Sequence, residues 1–133
     1  MSNPLALIVD DEPDIRELLD ITLGRMNIDC MAAPDLGSAR RLLSEQSFDL
    51  CLTDMRLPDG SGIELVELIG KKLPQLSVAV ITAHGNMESA VQALKAGAFD
   101  FVSKPVDLQI LRRLVQTALK LEQGGKGTSA DRK

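Results

Sequence analysis

The chain has 133 residues, of which 44% are hydrophobic and 26% charged, a length and balance that suit one globular core and exclude a disordered or membrane-embedded chain. Fifteen Lys and Arg against nineteen Asp and Glu give a net charge of -4, without the basic surplus that binding a phosphate backbone demands, so no direct nucleic-acid contact is expected. No apolar run approaches the roughly 20 residues of a spanning helix, and Met1-Ser2-Asn3-Pro4 lacks the features of a signal peptide, so no membrane association is expected and the expected location is cytoplasmic.

The first apolar run, Leu5 to Val9, has strand length; Ile15, Leu18, Leu19, Thr22 and Met26 then follow at helical spacing behind Pro13, a residue suited to a first helical turn. The pattern repeats four times. It predicts a second strand over Ile28 to Ala33 with a helix to about Glu45, and a third over Leu50 to Thr53 with a helix from about Gly62 to Lys72. A fourth strand is predicted over Val78 to Thr82 with a helix from about Asn86 to Ala96, and a fifth over Phe99 to Ser103 with a helix from Leu108 to about Glu122. The aromatic residues are Phe48, Phe99 and Phe101 alone, so aliphatic side chains must build the core. Cys30 and Cys51 sit in apolar stretches without CxxC spacing or clustered histidines and read as buried, reduced thiols.

Five strand-helix pairs with short connections predict an α/β fold, because parallel neighbours need crossovers and each crossover here is a helix. The expected architecture is a doubly wound, five-stranded parallel sheet in the order 2-1-3-4-5, with its site at the switch point between the first and third strands. Asp29 and Asp100 interrupt the second and fifth strands, which places those two at the sheet edges. Cys30 and Cys51 would then flank the first strand, roughly 10 Å apart and too far for a disulfide. Residues 1–122 are expected to form this domain; residues 123–133 have no apolar periodicity and read as a flexible linker or tail, best explained as a connection to a further domain.

Polar residues mark the carboxyl ends of four strands: Asp10 and Asp11, Asp54, Thr82, and Lys104. The fold gathers them at one sheet edge. Three carboxylates this close would raise one another's pKa unless a cation neutralises them, and Mg2+ suits a few carboxylates, waters and a phosphate oxygen. Lys104 adds an ammonium and Thr82 a hydroxyl, and the set describes a phosphoryl site. Asp54, alone on the central third strand, is the expected nucleophile, while Asp10 and Asp11 form a metal-holding pair. His84, the only histidine, lacks clustered ligands and reads as a loop residue at the site rim. Pro58-Asp59-Gly60-Ser61-Gly62 reads as a turn into the third helix, beside Asp54.

Leu7-Ile8-Val9-Asp10-Asp11-Glu12, Leu52-Thr53-Asp54-Met55-Arg56-Leu57-Pro58-Asp59-Gly60, Ile81-Thr82-Ala83 and Val102-Ser103-Lys104-Pro105 occur in order and together resemble the receiver domain of two-component response regulators, a flavodoxin-like fold. The resemblance covers about residues 4 to 122. Thr82-Ala83-His84-Gly85 and Ala93-Leu94-Lys95-Ala96-Gly97-Ala98-Phe99-Asp100-Phe101 are similar to the NtrC class of sigma-54-dependent activators. This resemblance implies that Asp54 takes a phosphoryl group from a sensor histidine kinase, with Asp10, Asp11, Asp54 and the backbone carbonyl of Arg56 around Mg2+. It implies a switch made of Thr82 and Phe101, a cis Lys104-Pro105 bond that aims the lysine, and AAA+ and DNA-binding domains downstream in a full-length regulator. Phe101 stands where the family often has Tyr, so output through a phenol hydroxyl is not expected.

The expected function is therefore a phosphoacceptor switch rather than an enzyme acting on a separate substrate. A stand-alone receiver is one alternative. An aspartyl-phosphate phosphohydrolase is another, but such enzymes place a general acid two residues after the nucleophile, where this chain has Arg56. A pseudo-receiver is disfavoured by the complete set of Asp10, Asp11, Asp54, Thr82 and Lys104. The last helix carries two apolar stripes, one at Leu111, Val115, Ala118 and Leu119 and one at Ile110, Leu114 and Leu121. The second, with Met87, Ala90 or Ala93 on the fourth helix, is the expected homodimer surface.

Overall fold

The computed structural model describes residues 3–83 and 86–120, so His84, Leu121 and the linker over residues 123–133 lie outside the described residues. The chain runs β1 (Leu5–Val9), α1 (Pro13–Gly24), β2 (Asp29–Ala33), α2 (Leu36–Glu45), β3 (Leu50–Thr53), β4 (Arg56–Leu57) and β5 (Gly60–Ser61). It continues through α3 (Gly62–Lys72), β6 (Ser77–Thr82), α4 (Met87–Ala96), β7 (Asp100–Ser103) and α5 (Leu108–Leu119). Strands that begin a residue away from the apolar run, as at Asp29, Ser77 and Asp100, reflect hydrogen bonding that extends or stops short of it.

Helix starts follow capping chemistry. Pro13 opens α1, the Asp35 carboxylate accepts from Ser38 N–H to cap α2, and Ser61 and Glu64 form a reciprocal capping box on α3. Asn86 and Asp107 cap α4 and α5, and Gly97, with φ 123°, ends α4 in a conformation that favours glycine.

All five main strands are parallel in the order β2-β1-β3-β6-β7, as expected, with β4 and β5 forming a separate antiparallel pair. Successive strand residues face opposite sides, so the sheet builds two cores. Leu7, Val9, Cys51, Val78 and Val80 pack against α2, α3 and α4 through Ala39, Leu42, Val66, Ile69 and Ala93. Ala6, Ile8, Leu50, Leu52, Ala79 and Ile81 meet α1 and α5 through Leu19, Leu23, Leu111, Leu114 and Val115.

Three expectations need correction. Cys51 is buried, but Cys30 is only half-buried because its strand is an edge; both thiols are free, and burial pushes each up to about 12. Leu114 belongs to the core beside Leu111 and Val115, whereas Ile110 is exposed, so the second stripe on α5 is not one surface. Ala93 is buried too: it is the small residue where α4 meets α3 and the sheet, so it contributes nothing to a partner face.

Candidate functional site

The carboxyl ends of β1, β3, β6 and β7 bring the expected residues to one edge, at the switch point between β1 and β3. Asp54 follows β3 and is fixed by its backbone: its N–H donates to Val9 O at 2.8 Å, and its Oδ1 accepts from Met55 N–H at 2.6 Å and from Arg56 N–H at 3.4 Å. Asp10 follows β1; its Oδ1 accepts from Glu12 N–H at 2.9 Å, and its carbonyl accepts from the Arg16 guanidinium at 2.7 Å. Asp10 is 2% exposed and Asp54 7%, while Asp11 is open to solvent.

Lys104, carried on the turn after β7, reaches across the edge. Its Nζ lies 2.9 Å from Asp10 Oδ2, 3.0 Å from Asp54 Oδ2 and 2.7 Å from Glu12 Oε1. The Lys104-Pro105 bond is cis, and Lys104 N–H donates to Thr82 O at 2.9 Å, which ties the turn to the end of β6. Burial would lower the lysine's pKa, but its bonds to Glu12, Asp10 and Asp54 outweigh that and raise it. Asp10 is raised, by burial first, with Lys104 and the Glu12 N–H offsetting part of the effect.

One carboxylate oxygen from each of Asp10, Asp11 and Asp54 lies within 4.8 Å of the other two. With Glu12 they set four formal negative charges against the Lys104 ammonium and the Arg16 guanidinium, and hard oxygen donors in such excess fit a divalent cation. Thr82 is fully buried at the end of β6; Phe101, on the neighbouring strand opposite Val80, is half-buried against the α2–α4 core. The Arg56 side chain is exposed, two residues beyond Asp54, so no acid stands where a phosphohydrolase would need one.

Other residues of the site are not marked by the sequence pattern. Glu12 grips Lys104, Arg16 holds the Asp10 carbonyl, and Gly62 passes so close to Asp54 that a Cβ there would collide with the Asp54 carbonyl oxygen. The acidic Asp10-Asp11-Glu12 run and the Gly60-Ser61-Gly62 spacing were the available signals.

The family model described as the response regulator receiver domain matches residues 6–116. The chain belongs to the response regulator receiver family. This receiver domain is 64% identical over 121 residues to the response regulator protein PilR of Pseudomonas aeruginosa, an alignment covering 91% of this chain and 27% of PilR. It is 33% identical over 112 residues to the DNA-binding transcriptional regulator NtrC of Proteus hauseri, covering 84% of this chain and 24% of NtrC. Among solved structures it is similar to the beryllofluoride-activated NtrC4 receiver domain dimer, with TM-score 0.83, 31% identity, and coverage of 87% of this chain and 96% of that one. The receiver therefore spans about a quarter of the length of the curated relatives named here. Among the described residues, no helix is long and apolar enough to cross a membrane.

Proposed function

We propose that Asp54 is the phosphoacceptor of this receiver, that a sensor histidine kinase is its donor, and that the phosphorylated domain controls AAA+ and DNA-binding domains of a cytoplasmic, NtrC-class activator. The observation that carries this reading is Lys104 Nζ 3.0 Å from Asp54 Oδ2, beside three carboxylates whose oxygens cluster within 4.8 Å. Asp10, Asp11, Asp54 and the Arg56 carbonyl would hold Mg2+. When bound, that ion supplies positive charge to the carboxylates and to the oxygens of the incoming phosphoryl group.

The chain's own groups do the rest. An Asp54 carboxylate oxygen forms the new P–O bond as the donor's P–N bond breaks, and the departing nitrogen keeps that electron pair and takes up a proton. The Met55 and Arg56 N–H groups orient the carboxylate through Oδ1, and the Lys104 ammonium stabilises charge on the phosphoryl oxygens. Thr82 and Phe101 form the switch: the hydroxyl turns toward the phosphoryl oxygen and the ring moves into the space it leaves. The chemistry stops at self-phosphorylation and autodephosphorylation, so the domain is a switch and not an enzyme acting on a separate substrate.

A phosphoramidate with Mg2+ is expected to add one phosphoryl group, read by intact mass, and to add none to Asp54→Ala. Undiminished labelling of that variant would remove Asp54 from the role.

A further inference from the structure

The segment after Asp54 is closed at two places. At its base, Gly62 N–H donates to Met55 O at 2.8 Å, and Thr53 Oγ1 donates to Asp54 O at 2.9 Å. At its tip, the two oxygens of Asp59 accept from consecutive N–H groups at the start of α2, Leu36 at 2.8 Å and Gly37 at 3.0 Å. The next residue, Gly60, has φ 154°, and a Cβ there would lie 2.5 Å from Leu36 Cδ1, so the hairpin tip rests directly on the first turn of α2. That turn is anchored in the core through Leu36 and Ala39, both buried.

We infer that Asp59 is a positioning residue for phosphoryl acceptance: by fastening the β4–β5 hairpin to α2, it holds the stretch from Asp54 to Arg56 in the arrangement that receives a divalent cation. The inference rests on the reading of Asp54 given above. Asp59 has no contact of its own with Asp54; it acts through the Arg56–Ser61 and Leu57–Gly60 pairing that links hairpin tip to base. Asp35 provides the internal control, since it caps the same helix through Ser38 N–H but lies outside the hairpin.

The test compares the parent with Asp59→Ala, Asp59→Asn and Asp35→Ala. Mg2+ affinity is read by calorimetric titration, and the rate of phosphoramidate labelling is followed against Mg2+ concentration by intact mass. Removing Asp59 should raise the half-saturating Mg2+ concentration about tenfold, while the rate at saturating Mg2+ stays within about twofold of the parent. Asp59→Asn keeps one acceptor, should fall between, and serves if the alanine variant does not fold. Asp35→Ala should lose thermal stability with half-saturation unchanged. A parent that labels while both Asp59 variants keep its half-saturation overturns this inference alone, as does an equal rise in Asp35→Ala. A parent that accepts no phosphoryl group overturns the reading of Asp54 and this inference with it.

Discussion

Asp10 is buried at 2% exposure beside Asp54, and the ammonium paired with its carboxylate is shared: Lys104 divides its charge among Asp10, Glu12 and Asp54. Burial raises the Asp10 pKa from its ordinary 3.8, so the folded value lies above the unfolded one. The stabilising contribution of such a group is fully present below its unfolded pKa and is lost as pH rises through the folded pKa. At neutral pH without a divalent cation, the ionised carboxylate therefore costs stability. Asp10→Asn should melt at a higher temperature than the parent at neutral pH, and the gap should narrow as the pH falls into the carboxylate range. Thermal melts across pH in metal-free buffer check this; a variant less stable than the parent at neutral pH would contradict it.

At the scale of elements, the loop from Asp54 into α3 leaves no room at Gly62, where a Cβ would press on backbone and not on a side chain free to turn away. Gly62→Ala should cost about 1–3 kcal/mol by overpacking, read from the denaturant midpoint, and a change below about 0.5 kcal/mol would contradict the crowding. The order of the elements was legible in the sequence, because Leu5–Val9 and Leu50–Leu52 are continuous apolar runs and Asp29 and Asp100 mark edge strands. The acid cluster was legible for the same reason: Asp10 and Asp54 directly follow strands, and Asp11 follows Asp10. Side-chain bonds between distant residues were not, since Asp59 meets Leu36 across 23 positions with no local pattern to announce it. Periodicity also misplaced Leu114: it gives an apolar stripe but not the helix's rotation on the sheet, which turns Leu114 in and Ile110 out.

Taken whole, the receiver has an acidic pocket at one sheet edge and exposed apolar residues along α4: Met87, 81% exposed, with Val91 and Leu94, and Ile110 on α5. Val80 and Thr82 on β6 pair with Phe101 and Ser103 on β7, the strand between α4 and α5, so the proposed movement at Thr82 would reach that strand. Beryllofluoride with Mg2+ should therefore shift α4, β7 and α5 and strengthen self-association through the α4 and α5 surfaces, a change needing only a few kcal/mol of differential stabilisation. Because the chain has no Trp or Tyr, sedimentation is best followed by interference optics; a mass that stays constant across concentration with beryllofluoride bound would contradict this output. That one carboxylate among several neighbours takes the phosphoryl group can be read by chemical trapping. After phosphoramidate and Mg2+ treatment, borohydride reduces an aspartyl phosphate to homoserine, and peptide mass mapping locates it. Homoserine is expected at position 54, with aspartate retained at positions 10 and 11; homoserine at 10 or 11, or at no position in a chain that gained phosphate, would remove Asp54 as the acceptor.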